Sequence, residues 1–374
     1  MQTPNLFQPI DLNGLVLPNR IVIAPMCQYS AVDGCASDWH TIHLGHLAFS
    51  GAGLLIIEAT AVEARGRISA GCLGLWSDEN EVALADVLRR IRKHANMPIG
   101  IQLGHAGRKA SISIPGSGTR GPVPLDQGGW ETIGPSPLGF TEEWREPRAM
   151  NETDMDDVVV RFAEAASRCV RLGLDLIELH SAHGYLMSSF LSALANRRED
   201  RFGGSLENRM RFPLAVVSAV RAAWPSDRPL GVRFNGTDWL DGGITEQEAI
   251  MYARALKDRG CDYVDVSSGG NGPARIPLAP GYQVPFAQAL KRTVGLPTMA
   301  VGLIRDPQHA ERILADGRAD MIALGRGFLN DARWPWRAAE ALGVQPTFPW
   351  QYGRGARSEP IPNYDTIPVG ATRQ

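Results

Sequence analysis

Three side chains that can exchange or donate a proton lie close together in the sequence, at His180, His183 and Tyr185. They directly follow an apolar stretch, Leu174–Leu179, that has the character of a buried strand. A loop histidine is most often a residue whose hydrogen bonds are satisfied locally, and this explanation would be preferred for either histidine alone. Three such groups within six positions after one strand instead indicate a functional site.

A second set of residues has the chemistry of an anion site. Arg233 lies inside the apolar stretch Leu230–Phe234, where an unpaired guanidinium would be costly, so an electron-rich group is expected opposite it. Gly302 and the pair Gly325-Arg326 follow two later apolar stretches, where glycines let backbone amides approach a phosphate and an arginine can clamp it. Together these residues indicate a site for a large phosphorylated cofactor. Ordinary left-handed turns and a surface arginine are the alternative for the phosphate part.

These residues are positioned by a regular alternation of strands and helices. Eight apolar stretches have the length and composition of buried strands, and stretches with helical periodicity lie between them. The predicted strands are Arg20–Ala24, Leu54–Glu58, Ile99–Leu103, Leu174–Leu179, Leu230–Phe234, Tyr263–Ser267, Thr298–Val301 and Met321–Leu324. Such a pattern favours an α/β fold of parallel strands buried on both sides, and a closed (β/α)8 TIM barrel fits it best. In that fold the loops after the strands meet at one mouth.

Local signals support this assignment. Thr245 and Glu248 have the spacing of a helix capping box, and Gly260 can take a left-handed position after that helix. Asp306-Pro307 predicts the start of another helix. Asn13-Gly14 predicts the turn of an N-terminal β-hairpin before the first barrel strand.

Two regions do not fit a plain barrel. Residues Gly107 to Asn151, after the third strand, are rich in Pro and Gly and are predicted to form an excursion or lid. A proline-rich tail follows residue 345. We therefore expect one barrel domain over residues 1–345 and a C-terminal tail over residues 346–374.

Composition excludes several classes of function. The 374 residues carry 38 Lys and Arg against 40 Asp and Glu, a net charge of −2, so no positive field would hold a nucleic acid or an anionic membrane. The sequence has an odd number of cysteines and no C-x-x-C pair, which argues against a disulfide framework and fits a reducing compartment. The cysteines are Cys27, Cys35, Cys72, Cys169 and Cys261. No stretch has the features of a signal peptide or a membrane span, so a cytoplasmic protein is expected.

Four separated motifs resemble those of the Old Yellow Enzyme family of FMN-dependent ene-reductases. They are R-I-V-I-A-P-M-C-Q-Y over residues 20–29, I-Q-L-G-H-A-G-R-K-A over 101–110, I-E-L-H-S-A-H-G-Y-L over 177–186 and R-F-G-G-S-L-E-N-R over 201–209. Cys27 and the motif Gln351-Tyr352-Gly353-Arg354 resemble the bacterial thermophilic-like subclass of that family. The match runs from about Leu6 to Arg354.

The resemblance implies FMN, bound tightly and non-covalently at the barrel mouth. Arg233 would face the N1/O2 side of the flavin and stabilise its reduced anion, while Gly302, Gly325 and Arg326 would hold the phosphate. The remaining flavin-contacting residues that it implies are Ala24, Pro25, Met26, Cys27, Ala59 and Gln102. From the sequence alone, Cys27 is equally well explained as a small buried hydrophobe.

The resemblance also implies the substrate and its contacts. His180 and His183 would donate hydrogen bonds to the oxygen of an electron-poor alkene, Tyr29 would add another, and Tyr185 would deliver the proton to the α-carbon. NAD(P)H would reduce the flavin transiently in a ping-pong reaction. Arg354 would cross the interface of a homodimer, or of a tetramer built from dimers, into the neighbouring site.

Other readings remain open at this point. A related flavin barrel could act on nitrate esters or other xenobiotics. From a different class, a metal-dependent barrel hydrolase could be built on pooled histidines, namely His40, His43, His105, His180 and His183. That reading leaves Arg233 and Gly325-Arg326 unexplained, and a non-catalytic ligand-binding barrel would leave the histidine pair without a role.

Overall fold

The computed structural model describes residues 3–118 and 121–352 of the chain, and within them the predicted closed barrel is present. The strands, in chain order, are β1 (Ile10–Leu12), β2 (Leu15–Leu17), β3 (Ile21–Ile23), β4 (Leu54–Ala61), β5 (Ile99–Gly104), β6 (Ile133–Gly134), β7 (Arg148–Ala149), β8 (Leu176–Ser181), β9 (Leu230–Asn235), β10 (Tyr263–Ser267), β11 (Thr298–Ala300) and β12 (Met321–Leu324). Strands β3, β4, β5, β8, β9, β10, β11 and β12 pair in this order, all in parallel, and β12 returns to β3. This confirms the (β/α)8 prediction.

The side chains of the barrel strands alternate between two apolar clusters, as the period of a strand requires. Ile21 and Ile23 of β3 belong to the large cluster between the strands and the helices, whereas Val22 belongs to a smaller cluster inside the barrel. Leu12 and Leu17 of the β1–β2 hairpin join the inner cluster. The hairpin therefore closes the end at which the strands begin and leaves the opposite end open for a site.

The helices surround this barrel. They are α1 (Asp38–Ala48), α2 (Asp78–Arg92), α3 (Glu152–Arg171), α4 (Leu186–Leu191), α5 (Leu206–Ala223), α6 (Glu246–Lys257), α7 (Val284–Val294), α8 (Pro307–Ala315), α9 (Arg326–Asn330) and α10 (Trp334–Ala341). At the start of α6, Glu248 N–H donates to Thr245 Oγ1 and Thr245 N–H donates to the Glu248 carboxylate, both at 3.2 Å, which confirms the capping box. Gly260 has φ of 76° and α8 begins at Pro307, as predicted.

Six of the eight barrel strands differ from the prediction by one to three residues at an end, and two of these differences have a clear local cause. Strand β8 begins at Leu176 and not at Leu174, because Leu174 N–H bonds Cys169 O and so completes the end of α3. Strand β4 continues beyond the predicted Glu58 to Ala61, since its pairing with β5 resumes after a register shift between Ile57 and Ala59. Strand β3 is shorter than predicted.

The predicted excursion after β5 is present as a mostly irregular segment. It contains a short parallel pair, β6 with β7, and the 3-10 turns Gly107–Lys109 and Leu125–Gln127. Trp130 Nε1–H donates to Arg65 O at 2.9 Å, so the segment packs against the loop that follows β4. None of the helices in the described ranges is long and apolar enough to span a membrane. The division into a barrel domain and a tail stays a prediction.

Candidate functional site

A cavity of about 350 Å³ opens at the end of the barrel where the strands finish. It lies where a TIM barrel places its active site, because loops on rigid strands converge there. The cavity brings together eight of the residues predicted from the sequence, which are Ala24, Pro25, Met26, His183, Arg233, Gly302, Gly325 and Arg326. Residues separated by about 300 positions in the chain therefore share one surface, as the barrel prediction required.

The part of the cavity after β11 and β12 is shaped by glycine. Gly302 has φ of 125°, a conformation that side chains rarely adopt, and a Cβ there would lie 3.1 Å from the Tyr282 ring and 3.2 Å from Gln283 Nε2. Gly325 leads directly into α9, whose first residue is the exposed Arg326. Backbone amides and a guanidinium are thus presented to one space, an arrangement suited to a phosphate group.

Arg233 and Asp265 form a buried pair beside the cavity. Arg233 Nε lies 3.2 Å from Asp265 Oδ2, but among the described residues Nε and both carboxylate oxygens have no hydrogen-bond partner. Burial raises the pKa of Asp265, and the Arg233 charge opposes that rise. A buried guanidinium with unused hydrogen-bonding capacity next to a large cavity fits the polar edge of a flavin ring. Asp265 was not predicted from the sequence.

Gln102, predicted to contact the flavin, is buried within the barrel and is not among the residues that line the large cavity. Its Nε2–H donates to Glu178 Oε1 at 2.8 Å, and Tyr263 Oη–H donates to Glu178 Oε2 at 3.2 Å. Burial and the nearby Asp265 charge raise the pKa of Glu178 to about 8. The hydrogen bond to Glu178 therefore fixes the orientation of the Gln102 amide. It uses the amide nitrogen of Gln102 and not the amide oxygen.

The two histidines of the β8 loop are linked in a chain that defines their proton positions. Ala182 N–H donates to His180 Nδ1 at 3.2 Å, so the proton of a neutral His180 is on Nε2, which lies 3.3 Å from His183 Nδ1. His183 Nδ1 then accepts, and His183 Nε2–H donates to Ser267 Oγ at 2.6 Å. Burial lowers the pKa of both imidazoles well below the ordinary value, and the Arg233 charge adds to the shift. Both rings are neutral hydrogen-bond donors at physiological pH.

Tyr185 packs against the same histidines. Its ring centroid lies 4.9 Å from that of His180, and the two rings are nearly perpendicular. Tyr185 also lines a small second cavity together with His180 and Ala59. Burial raises the pKa of the Tyr185 phenol well above its ordinary value, so the phenol keeps its proton throughout the neutral range. The structure therefore brings Tyr185, His180 and the predicted Ala59 together.

Cys27 and Tyr29 lie in the loop after β3, on the other side of Tyr185. Both pack in a small apolar cluster that also contains Tyr185 and Cys72. Tyr29 has φ of 53°, which is unusual for a residue with a bulky side chain and occurs mostly where a functional constraint holds the backbone. The contact between Cys27 and Cys72 was not predicted from the sequence.

Lys109 is a further residue whose role the sequence did not reveal. Its Nζ donates to the carbonyl oxygens of His183 at 2.8 Å and Gly270 at 3.1 Å, between the rings of Phe140 and Tyr185. Burial and the neighbouring Arg108 lower the pKa of Lys109 to about 8. His183 has φ of 61°, so Lys109 holds a strained turn in place. Lys109 belongs to the I-Q-L-G-H-A-G-R-K-A motif, but sequence spacing alone does not predict which residues it contacts.

The histidines that the metal-dependent hydrolase hypothesis groups together contact different side chains. His40 Nε2 lies 3.3 Å from Glu58 Oε1, His43 stacks on Trp39, and His105 Nε2 lies 2.7 Å from Glu63 Oε1. In the part of the chain that the structure describes, no three His, Cys, Asp or Glu side chains form a group that could hold a metal ion. Arg354, predicted to cross a dimer interface, lies outside the described residues.

The comparisons with known proteins agree with this geometry. A family model described as NADH:flavin oxidoreductase / NADH oxidase matches residues 5–345. An NADPH dehydrogenase of Geobacillus thermodenitrificans (strain NG80-2) is 44% identical over 354 residues, which are 94% of this chain and 98% of that protein. An NADPH dehydrogenase of Geobacillus sp. (strain WCH70) is 43% identical with the same coverage. The structure of morphinone reductase aligns with a TM-score of 0.76 at 28% identity and covers 100% of this chain and 99% of that one.

Proposed function

The chain belongs to the NADH:flavin oxidoreductase / NADH oxidase family, the Old Yellow Enzyme family, and is an oxidoreductase; from that premise we propose that it is an FMN-dependent ene-reductase. Its substrates would be activated C=C bonds in α,β-unsaturated carbonyl or nitro compounds, with NAD(P)H as the reductant. The observation that carries the proposal is the grouping of two neutral imidazoles and a protonated phenol after one barrel strand.

The cofactor would lie in the 350 Å³ cavity, bound tightly but without a covalent bond. Arg233 and Gln102 would contact the polar edge of the flavin, and Gly302, Gly325 and Arg326 its phosphate. The remaining contacts would come from Ala24, Pro25, Met26, Cys27 and Ala59. When bound, the flavin supplies the hydride that the β-carbon of the alkene accepts.

The acceptor oxygen would be held by His180 and His183. A neutral imidazole donates one hydrogen bond. To hold the acceptor oxygen, His180 Nε2–H would turn from His183 Nδ1, and His183 Nε2–H from Ser267 Oγ. Negative charge grows on that oxygen as the β-carbon is reduced, and donors already in place stabilise this charge without reorganisation. Tyr29 would add a hydrogen bond to the same oxygen. These contacts polarise the double bond.

Tyr185 would complete the reaction by giving its phenolic proton to the α-carbon. Burial, which raises the pKa of this phenol, keeps the proton available at neutral pH. The proton returns to the phenoxide from solvent before the next turnover. General acid catalysis of this kind contributes roughly 10²–10⁴-fold to a rate.

The same pocket would serve both substrates in turn. NAD(P)H would enter, reduce the flavin and leave before the alkene binds, which gives ping-pong kinetics. We further propose a cytoplasmic homodimer, or a tetramer of dimers, in which Arg354 reaches the neighbouring site. The free cysteines of the described residues suit the reducing conditions of the cytoplasm.

Anaerobic spectroscopy of the purified protein tests the proposal. We expect a flavin absorption band that NADPH bleaches and that 2-cyclohexenone or a maleimide then restores, with parallel lines in double-reciprocal plots of the steady-state rate. A flavin that NADPH reduces but that no activated alkene reoxidises would overturn the ene-reductase assignment and leave the family assignment standing. A folded protein that takes up no flavin after reconstitution would contradict the cofactor as well.

A further inference from the structure

Two of the cysteines come together beside the candidate site, although they are 45 positions apart in the sequence. Cys27 follows β3, and Cys72 lies in the loop between β4 and α2. Both side chains pack in the same small apolar cluster. The two loops are also joined through their backbones, since Ala31 N–H donates to Gly71 O at 2.9 Å.

The surroundings of the pair are apolar but accessible to a small molecule. Both sulfurs belong to the cluster that contains Ile68, Tyr29 and Tyr185. Cys72 also lines a small cavity together with His180 and Tyr185. Cys27 itself is partly exposed. Cys72 is buried and this cavity is narrow, so only a reagent of about the size of hydrogen peroxide can reach Cys72 through it.

The contact makes the two thiols chemically unequal. Interaction with the Cys27 side chain lowers the pKa of Cys72 to about 7, and hydrogen bonds from Ser69 help to outweigh the effect of burial. Ser69 N–H lies 3.3 Å from Cys72 Sγ, and Ser69 Oγ lies 3.5 Å from it. Interaction with the Cys72 side chain, burial and the Glu58 charge raise the pKa of Cys27. Cys72 is thus the nucleophile, and Cys27 is the thiol that can resolve its oxidised form.

We propose that Cys27 and Cys72 form a site of reversible covalent modification, at which hydrogen peroxide converts the two thiols into an intramolecular disulfide. The Cys72 thiolate attacks the peroxide O–O bond, which yields a sulfenic acid and, after protonation, water. The Cys27 thiol then attacks that sulfur, a second water leaves, and the S–S bond forms. One peroxide is reduced by two electrons as the two thiols are oxidised by two.

The disulfide would change the site in two ways. It removes the free Cys27 thiol from the loop after β3, next to the cavity-lining Met26, and it ties that loop covalently to the loop after β4. Tyr29 lies two residues from Cys27 in a left-handed conformation, so it has little freedom to absorb the change. Oxidation would therefore lower turnover until a thiol reductant restores the pair.

Peptide mapping of the flavin-loaded protein tests the disulfide directly and does not depend on alkene reduction. Trypsin leaves Cys27 and Cys35 on one peptide, residues 21–65, and Cys72 on another, residues 68–89. After reduction, removal of the reductant, stepwise addition of hydrogen peroxide and alkylation, we expect these two peptides to appear joined. Dithiothreitol should separate them. If alkene reduction is absent but the joined peptide forms, only the proposed function is wrong.

Matched variants identify the sulfurs involved. Cys35→Ser should still give the joined peptide, whereas Cys72→Ser and Cys72→Ala should give none and should slow the loss of the free Cys27 thiol about tenfold, because the more reactive thiolate is missing. Far-ultraviolet circular dichroism checks that each variant is folded. The proposal is overturned if peroxide gives no joined peptide in the parent protein, if Cys35→Ser abolishes it, or if Cys27 is oxidised equally fast without Cys72.

Discussion

The two ends of the candidate site, one after β8 and one after β11 and β12, are built in different ways. At the β8 end, which comprises His180, His183 and Tyr185, the geometry is set by side chains that pack on one another with ring centroids 4.9 to 6.5 Å apart. At the β11–β12 end, which comprises Gly302, Gly325 and Arg326, it is set by backbone conformation, above all by the φ of 125° at Gly302. The first arrangement fixes proton donors, whereas the second makes space for a large anion.

This difference indicates a division of labour. Fixed donors suit a reaction in which charge develops at one oxygen atom, because their orientation is set before the reaction begins. A backbone cradle suits a group that stays bound, because amides and a guanidinium hold it without taking part in proton transfer. Substitutions at the β8 end should therefore affect turnover, and those at the β11–β12 end should affect cofactor retention.

Tyr185→Phe should give the largest effect. Only the phenolic oxygen is lost, since the ring can still pack on His180 and under Lys109. We expect the alkene step in rapid-mixing experiments to slow roughly 10²–10⁴-fold, with much less change in the step that NADPH drives. Tyr252→Phe removes a buried phenol that bonds Ser181 away from the cavity and serves as the control. Alkene reduction at the parent rate in Tyr185→Phe would remove Tyr185 as the proton donor.

Arg326→Ala should weaken FMN binding at the β11–β12 end. Loss of one charge-assisted contact costs about 1.5–3 kcal/mol, so the dissociation constant of FMN should rise about 10- to 150-fold, measured by fluorescence after reconstitution. Once the protein is saturated with FMN, the alkene step should change far less than in Tyr185→Phe. Arg161→Ala removes the same charge from the exposed face of α3, where Arg161 pairs with Glu164 at 2.9 Å, and should not change FMN affinity. An equal loss in both variants would show that the effect is only one of net charge.

The barrel was predictable because its signals are local. Strands such as Tyr263–Ser267 and Met321–Leu324 are short apolar stretches between turn residues, and they were predicted to the residue. The beginning of β8 was missed because Leu174 belongs to a helix end whose closing hydrogen bond reaches back to Cys169. The extension of β4 was missed because it depends on pairing with β5 across a register shift.

The site was predictable only where one strand end carried several polar groups. His180, His183 and Tyr185 are grouped in the sequence, whereas the contact between Cys27 and Cys72 joins two loops without periodicity. Asp265 did leave a signal, since a carboxylate in the apolar stretch Tyr263–Ser267 needs a partner, and Arg233 is that partner. Pairings of this kind depend on the register of neighbouring strands, which the sequence alone does not specify.

The β8 end also depends on a supporting pair, Glu63 and His105, whose removal should have the smallest effect. Gly107 N–H donates to His105 Nδ1 at 2.9 Å, so Nε2 carries the proton and donates to Glu63 Oε1 at 2.7 Å, while Leu186 N–H donates to His105 O at 2.9 Å. Burial alone would raise the pKa of Glu63, but the hydrogen bonds from His105 and Arg65 lower it from 4.5 to about 2. The pair therefore ties the loop after β4 to the start of α4.

Because the folded protein binds the Glu63 proton more weakly than the unfolded chain, this carboxylate stabilises the fold above pH 4.5, and the contribution is lost as the pH falls towards 2. We expect Glu63→Gln to lower the free energy of unfolding by about 1–2 kcal/mol at pH 7, measured by urea denaturation. Below pH 4.5, this free energy should decrease less steeply with falling pH in the variant than in the parent protein. Glu164→Gln, on the exposed face of α3, is the control. Parallel pH profiles for Glu63→Gln and the parent protein would show that the pair does not hold the β8 end, and the contrast between the two ends would then rest on ring packing alone.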